Sequence, residues 1–347
     1  MNLNKFLKMF IPLVCLSLVA FSTGCSKNSK NYEPISRTQV LLDTPCTITI
    51  YDKASEKVLD QAFDVLKDIH NKMNAHEDSS EISAINKNSG LNNIKVSDNT
   101  FYVVKEAKKY SELTQGKFDI TIGPLINLWG INTENARVPS EEEIKAKLPL
   151  INYRDIILDE NEKSIKLKNK GMSIDLGGIA KGFAADEVAK VLKKNGVKHA
   201  VIDLGGNILT VGTKIQGTDW KIGIQDPTMP RGDYFGIVKV SDKAVVTSGI
   251  YERFLEVNGQ YYHHIFDTST GYPVDNSLAS VTIITKTSIN GDALAKAFCF
   301  GIDKGLAFIE GIKDVDAIFV TKNKEVYITK GLKGNLEITD SNFKILN

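Results

Sequence analysis

The sequence predicts an α+β fold in one compact domain, in which antiparallel sheets pack against separate helices. Three observations lead to this prediction. Several short stretches rich in Val, Ile and Thr alternate in polarity, as strands do. Some of them are joined by tight turns such as Asn258-Gly259, which favours an antiparallel hairpin. Other stretches carry apolar residues at helical spacing and lie outside these hairpins.

Residues 1–24 are predicted to be a signal peptide. Lys5 and Lys8 precede an apolar run at residues 9–21, which is too short for a comfortable membrane span. Cys25 follows small residues, and this order resembles the bacterial lipobox. We therefore expect lipidation at Cys25 and an extracytoplasmic protein anchored to the cell membrane by lipid. An ordinary secretion signal and an N-terminal anchor are the alternatives.

The composition is that of a globular protein, with 347 residues, 42% hydrophobic residues and 24% charged residues. Residues 25–37 are predicted to be the lipidated cysteine and a flexible tether, and residues 38–347 the folded domain. The formal net charge of +1 gives no sign of a nucleic-acid-binding surface, so no nucleic-acid partner is expected. Cys46 and Cys299 stand in apolar stretches and are expected in the core rather than in a disulfide or a zinc site.

The first half of the domain is predicted to contain one strand and several helices. The strand spans residues 38–51 and is interrupted at residues 43–45. The helices have an apolar side or a polar cap, and they are residues 55–73, 80–86, 100–113 and one that opens at Ser140. Residues 116–130 are apolar but broken by Gly123-Pro124, which favours a shaped loop or a short strand.

The second half is predicted to be richer in strands. A hairpin covers residues 155–174 and turns at residues 159–163. The later strands and hairpins are residues 200–204, 208–213, 220–225, 236–240, 253–266, 280–285 and 317–329. Two helices are expected among them, one starting at Asp292 and one at residues 304–312.

Between the two halves, residues 173–190 read SIDLGGIAKGFAADEVAK and predict a strand end, a glycine turn and a helix that starts near Ile179. The unpaired N–H groups at the start of a helix attract anions, and Gly178 would let a ligand approach the backbone. Lys181 in the first turn suits a bound phosphate. Asp175 could accept a hydrogen bond from a ligand or orient the groups that coordinate a metal. The alternative is an ordinary strand-to-helix turn.

Four more stretches place polar residues beside glycine turns: residues 118–124, 203–207, 247–249 and 263–271. Each alone is more often a turn than a site, but five in one chain indicate a shared site. Asp292 is either a helix N-cap or a ligand of a hard cation. His264 is the preferred general base, because a histidine pKa lies near neutral pH and because Asp267 is close in sequence.

The motifs MNAHEDSSEISAIN, GKFDITIGPLINLWG, DLGGIAKGFAAD, VIDLGGNI, WKIGIQDP, AVVTSGIYER, HHIFDTSTGYP and GDALAKA closely resemble the ApbE family of FAD:protein FMN transferases. The resemblance covers nearly the whole chain after the signal. It implies FAD as substrate, a Mg²⁺ requirement and an extracytoplasmic, often lipid-anchored location. In such enzymes a threonine hydroxyl of an acceptor protein attacks the FMN phosphorus, a phosphoester forms and AMP leaves. The acceptor implied here is a subunit of a membrane redox complex.

The resemblance also assigns roles to residues of this chain. The catalytic residues are His264 and Asp292, and the metal ligands are Gly178, through its carbonyl, Asp292 and the position of Lys296. The flavin-dinucleotide contacts are Leu42, His76, Lys117, Phe118, Asp119, Asp175, Lys181, His264 and Ile265.

This chain departs from the family pattern at several positions. The family usually has a threonine where Lys296 stands, and an ammonium cannot ligate Mg²⁺. Leu42-Asp43-Thr44 replaces the usual Met-Gly-Thr, and His76 stands where a tyrosine or asparagine is common. Three alternatives to transfer stay open: a FAD pyrophosphatase, a lipoprotein that holds FAD without turnover, and a general solute-binding lipoprotein.

Overall fold

The computed structural model describes residues 32–347, and they form an α+β fold, which confirms the prediction. The strands are β1 (Ile35–Leu41), β2 (Thr44–Ile50), β3 (Ile94–Lys95), β4 (Ile156–Asp159), β5 (Ser164–Leu167), β6 (Ala200–Leu204), β7 (Asn207–Val211), β8 (Trp220–Gln225), β9 (Tyr234–Val240), β10 (Ala244–Gly249), β11 (Phe254–Val257), β12 (Gln260–His263), β13 (Leu278–Thr285), β14 (Asp316–Thr321), β15 (Glu325–Ile328), β16 (Leu336–Ile338) and β17 (Lys344–Ile345). The helices are α1 (Glu56–Met73), α2 (Glu81–Lys87), α3 (Asp98–Leu113), α4 (Gly123–Trp129), α5 (Glu141–Lys147), α6 (Ala180–Lys194), α7 (Ser288–Leu294) and α8 (Gly301–Glu310).

A large sheet runs through the described residues. Its nine strands lie in the order β1-β2-β6-β7-β10-β13-β14-β15-β17, and the neighbours are antiparallel except for the parallel pair β15–β17. Three smaller sheets accompany it: β16-β9-β8, β3-β5-β4 and the hairpin β11-β12. This arrangement agrees with the predicted antiparallel sheets and separate helices.

The large sheet has a hydrophobic core on each face. Ala317 and Phe319 of β14 belong to one core, and the alternate residues Ile318 and Val320 belong to the other. Because successive side chains of a strand point to opposite faces, the two cores lie on opposite sides of the sheet. The first core includes residues of α1, α3, α6 and α7, and the second includes residues of the small sheet β16-β9-β8.

Several predicted elements are confirmed. Helix α1 begins after Ser55 and ends at Met73, and α5 begins with a capping box between Ser140 and Glu143. Strands β4 and β5 form the expected hairpin, and β11 and β12 form the hairpin whose turn is Asn258-Gly259. The described cysteines are both free, as expected, with Cys46 in the core and Cys299 half-buried against it.

Two predictions in the first half are wrong. The single interrupted strand is instead the hairpin β1–β2, whose two turn residues Leu42 and Asp43 have φ of 52° and 56°. Such left-handed pairs match the twist of a hairpin, but glycine or asparagine usually signals them. The loop expected around Gly123-Pro124 is helix α4, because a proline in the first helical turn lacks only an N–H that would have no partner there.

Three more elements differ later in the chain. The strand expected before Gly177 is a single bridge between Ser173 and Ile122. Helix α7 begins at Ser288, so Asp292 lies inside the helix and is not its N-cap. Strand β10 was not expected, because Thr247-Ser248-Gly249 has the composition of a turn.

The predicted signal peptide, Cys25 and most of the tether lie outside the described residues. Among residues 32–347, no helix combines the length and the apolar character needed to cross a membrane.

Candidate active site

The turn at Gly177-Gly178 is held by backbone and side-chain contacts of Asp175. The Asp175 N–H donates to the carbonyl of Ile120 at 2.8 Å, and Asp175 Oδ1 accepts the Gly177 N–H at 2.8 Å. Asp175 therefore shapes the turn itself. Its assigned contact with the flavin dinucleotide stays a prediction.

The N–H groups at the start of α6 are mostly occupied. Ile179 and Ala180 both donate to the carbonyl of Leu176, at 3.0 and 2.8 Å, and Gly182 donates to Asp292 Oδ2 at 3.0 Å. The sequence predicted that the backbone N–H groups at the start of α6 are free to bind an anion. This prediction is wrong for the N–H groups of Ile179, Ala180 and Gly182. An anion bound at the turn would have to be held mainly by side chains.

Asp292 is buried, with 3% of its surface exposed, and it joins α7 to α6. Its Oδ2 accepts the Gly182 N–H, and its Oδ1 lies 3.9 Å from Lys181 Nζ. Lys181 also donates to the carbonyl of Gly177 at 3.0 Å. The structure thus brings Asp292, Lys181 and the glycine turn together, as the sequence predicts.

Lys296 comes from the turn of 3-10 helix at Ala295–Phe300 that follows α7, and its side chain lies over Gly178. A Cβ built on Gly178 would be 3.4 Å from Lys296 Cε, 3.8 Å from its Nζ and 3.2 Å from a ring carbon of Phe118. Lys296 Nζ lies 3.5 Å from Ser248 Oγ on β10. Burial lowers the pKa of Lys296, while the negative charge of Asp292 raises it and the positive charge of Lys181 lowers it.

His264 follows the hairpin β11–β12 and is half-buried. Its Nδ1 lies 3.1 Å from the carbonyl of Arg253, so Nδ1 carries the proton that is donated and Nε2 keeps its lone pair. Burial and then the positive charge of Lys296 lower the pKa of His264 to about 3. The side chain is therefore neutral near pH 7.

The three residues 117–119 make different contacts. Phe118 is buried against Gly178, and Lys117 forms an ion pair of 3.1 Å with Asp267. The carboxylate of Asp119 accepts three hydrogen bonds, two from Thr121 and one from the distant Tyr153 N–H. Asp119 thus connects its loop to the 3-10 turn at Tyr153–Asp155, and a contact with a ligand stays a prediction.

The remaining assigned residues lie near turns. Leu42, in the β1–β2 turn, donates its N–H to His70 Nδ1 at 3.2 Å. Arg253, beside the hairpin that leads to His264, donates to the carbonyl of Asp43 in that turn at 3.3 Å. His76 is exposed, and its N–H donates to Asn74. Ile265 is buried, and its N–H donates to His263 Nδ1 at 3.2 Å.

The residues present fit a divalent metal poorly. In the described part of the chain, no three His, Cys, Asp or Glu side chains form a group that could hold a metal. Of the two carboxylate oxygens of Asp292, one accepts a backbone N–H and the other faces Lys181. The third assigned position carries the ammonium of Lys296, which repels a cation and offers no lone pair.

Several residues of the site were not predicted from the sequence. Ser248 faces Lys296, Gly182 anchors Asp292, and His70 holds the β1–β2 turn. Only Ser248 had a signal, since it stands in one of the polar stretches that end in glycine. Another such stretch, residues 203–207, forms an internal hydrogen bond, in which Asp203 Oδ1 accepts the Gly206 N–H at 2.8 Å.

The sequence and fold were compared with known proteins. The ApbE family model matches residues 42–319. A protein of Klebsiella pneumoniae named FAD:protein FMN transferase is 34% identical over 313 residues, which are 90% of this chain and 97% of that protein. A protein of the same name from Treponema pallidum is 32% identical and covers 95% of this chain and 96% of its own length.

Solved structures agree with these relatives. The ApbE protein of Thermotoga maritima superposes with a TM-score of 0.81 at 30% identity, over 87% of this chain and 99% of that chain. The flavin transferase ApbE of Vibrio cholerae superposes with a TM-score of 0.78 at 28% identity, over the same shares. Sequence, fold and the order of the motifs lead to one conclusion: this chain belongs to the ApbE family.

Proposed function

We propose that this chain is a FAD:protein FMN transferase, which moves FMN from FAD to a threonine hydroxyl of an acceptor protein. The family membership and the names of the relatives support this activity. The structural observation that carries it is the pair of ammonium groups, Lys181 and Lys296, that lie at one glycine turn with a histidine nearby. Phosphoryl transfer depends mostly on positioning and on stabilising negative charge, and such a cluster supplies both.

In this mechanism the diphosphate of FAD binds beside Gly178, next to the side chains of Lys296 and Phe118. The threonine oxygen attacks the phosphorus of the FMN half and forms the new phosphoester bond. The bond between that phosphorus and the bridging oxygen breaks, and AMP leaves with the bonding electron pair. Lys181 and Lys296 stabilise the charge that develops on the phosphate oxygens.

His264 accepts the threonine proton at Nε2, because Nδ1 already donates to Arg253. Without ligand, burial makes its protonated form unfavourable. A bound diphosphate brings negative charge beside the ring and raises its pKa toward the working pH. The base is thus activated only when substrate is present.

The flavin contacts belong to this proposal as well. Phe118, which is buried against Gly178, is proposed to contact the dinucleotide there. Lys117, Leu42, His76, Asp175 and Ile265 are proposed to line the flavin site. The Mg²⁺ requirement implied by the resemblance is not used in any step, since the residues around Asp292 fit a divalent cation poorly.

The test is to incubate the purified full-length protein with FAD and an acceptor protein that carries the target threonine. Covalent flavin on the acceptor, detected by in-gel fluorescence and mass spectrometry together with AMP release, supports the proposal. An acceptor with alanine in place of the threonine is the control. Free FMN and AMP without labelling would indicate a FAD pyrophosphatase, and intact bound FAD a flavin-holding lipoprotein. Absence of FAD binding would indicate a general solute-binding lipoprotein.

The acceptor and the location complete the proposal. The lipobox-like sequence at Cys25 supports a lipid anchor outside the cytoplasm, where the acceptor would be a subunit of a membrane redox complex. Growth with a labelled fatty acid tests the anchor. The label should appear on the wild-type protein and be absent from Cys25→Ser, and equal labelling of the two would contradict lipidation at Cys25.

A further inference from the structure

We infer that the Lys296 ammonium is a built-in cation of the phosphate site, so that this enzyme depends less on a divalent metal than it would with a neutral hydroxyl at that position. The inference rests on the proposed function, because it concerns the same phosphates. It assigns Lys296 a role opposite to the metal-ligand role that the resemblance implies.

The Lys296 ammonium lies at the glycine turn. Lys296 Nζ lies within 3.8 Å of the point where a Cβ on Gly178 would stand. The same glycine turn is also contacted by Lys181, whose Nζ donates to the Gly177 carbonyl at 3.0 Å. A phosphate over Gly178 would therefore meet two ammonium groups.

Lys296 also lacks a strong partner. Within the described part of the chain, its hydrogen-bond partner is Ser248 Oγ at 3.5 Å, and no carboxylate forms an ion pair with it. Asp292, a buried acid of the site, instead pairs with Lys181 and Gly182. A half-buried cation without an anion is costly, and a bound phosphate would compensate for that cost.

A divalent metal would also compete with Lys296 for the same space. Mg²⁺ needs oxygen ligands at about 2 Å in a near-octahedral arrangement, usually including a carboxylate. Here the carboxylate is engaged by Gly182 and Lys181, and an ammonium faces the turn whose carbonyl would be another ligand. Bringing a divalent ion close to Lys296 would add like-charge repulsion.

The test compares the wild type with Lys296→Thr and a control, Lys286→Thr, which changes an exposed lysine on the segment before α7. Binding of Mn²⁺ to each protein with FAD present is measured by electron paramagnetic resonance of the free ion. We expect Lys296→Thr to bind Mn²⁺ at least about tenfold more tightly than the wild type, because one positive charge has been removed. Lys286→Thr should bind like the wild type.

The transfer assay gives a second readout, in Mg²⁺ and in EDTA. The ratio of the rate in EDTA to the rate in Mg²⁺ should fall at least about tenfold in Lys296→Thr compared with the wild type. Equal Mn²⁺ affinities and equal ratios in the two proteins would overturn the inference.

A further variant covers the case in which Lys296→Thr does not fold, as judged by circular dichroism. Lys296→Met keeps the length of the side chain and removes its charge, and it should likewise show tighter Mn²⁺ binding and a lower EDTA ratio. Loss of all transfer by the wild type in every cation would refute the proposed function instead. The Mn²⁺ measurement would still decide the role of Lys296.

Discussion

At the scale of single residues, His263 shows how burial makes a side chain sensitive to pH. It is 7% exposed, its Nε2 lies 2.9 Å from the carbonyl of Val274, and its Nδ1 accepts the Ile265 N–H at 3.2 Å. Burial lowers its pKa from 6.5 to about 4. Protonation at Nδ1 would remove the acceptor that Ile265 needs, beside the candidate base His264.

The first prediction concerns this residue. Between pH 6.5 and about 4 the unfolded chain binds a proton at His263 and the folded chain does not, so the free energy of unfolding falls as the pH falls through this window. We expect His263 to contribute a loss of about 2 kcal/mol between about pH 7 and about pH 5. Urea unfolding of the wild type and of His263→Gln measures it. Parallel pH curves for the two proteins would contradict the prediction.

Only some residues of the site could be predicted from the sequence. Gly178 and Lys181 stand in one local motif, and Asp292 and His264 have residue types suited to phosphate chemistry. Contacts between distant residues, such as Lys296 over Gly178 or Asp292 on Gly182, depend on how α6 and α7 pack. No periodicity or spacing within either helix contains that information.

At the scale of elements, helices α6 and α7 hold each other by reciprocal contacts. Gly182 of α6 donates to Asp292 of α7, and Asp186 of α6 accepts the Ser288 and Ile289 N–H groups at the start of α7, at 2.8 and 2.9 Å. A Cβ on Gly182 would lie 2.3 Å from the carbonyl oxygen of Ser288. The close approach that places Asp292 therefore requires glycine at this position.

The second prediction is that Gly182→Ala destabilises the protein and lowers transfer, although alanine favours helix over glycine by about 1 kcal/mol. The new methyl group must push α7 away, which breaks the hydrogen bond to Asp292 and moves Lys181 and Lys296 relative to each other. We expect a loss of about 1–3 kcal/mol in the free energy of unfolding.

Thermal unfolding and the FMN transfer rate of the folded protein measure the effects of Gly182→Ala. Lys194→Ala, at an exposed position of the same helix, is the control and should change neither quantity appreciably. A Gly182→Ala protein that is more stable than the wild type and equally active would show that α7 can move without cost to the site.

The clearest local patterns were predicted correctly, whereas strand β10 was missed because its end has the composition of a turn. The amphipathic side of α1 and the Asn-Gly turn of β11–β12 are visible in short windows of sequence. Strand β10 is defined by its pairing with β7 and β13, and its glycine end has the composition of a turn. Ser248 lies in this strand, so its contact with Lys296 in the site was not predicted either.

At the scale of the whole molecule, the large sheet separates the candidate site from the second core. Residues next to the site, such as Phe118, Ile179 and Ala295, belong to the first core. Phe343 belongs to the second core and stacks on Phe235 with ring centroids 4.3 Å apart. Phe235 lies in β9, and Phe343 directly precedes β17 at the edge of the large sheet, so this pair fastens the small sheet to the large one.

The third prediction follows from this division: Phe343→Ala should lower stability and leave the chemistry intact. Removing the ring, which is 3% exposed, leaves a cavity beside Phe235 and is expected to cost about 3–5 kcal/mol in the free energy of unfolding. Phe343→Leu fills part of that cavity and should cost less. Urea unfolding measures the loss for both variants.

The FMN transfer rate, measured well below the unfolding transition, should stay within about twofold of the wild-type rate, because the sheet keeps its other face in place. A large loss of the FMN transfer rate in a Phe343→Ala protein that is still folded would contradict this prediction. It would mean that a change in the second core alters the site on the other face of the sheet.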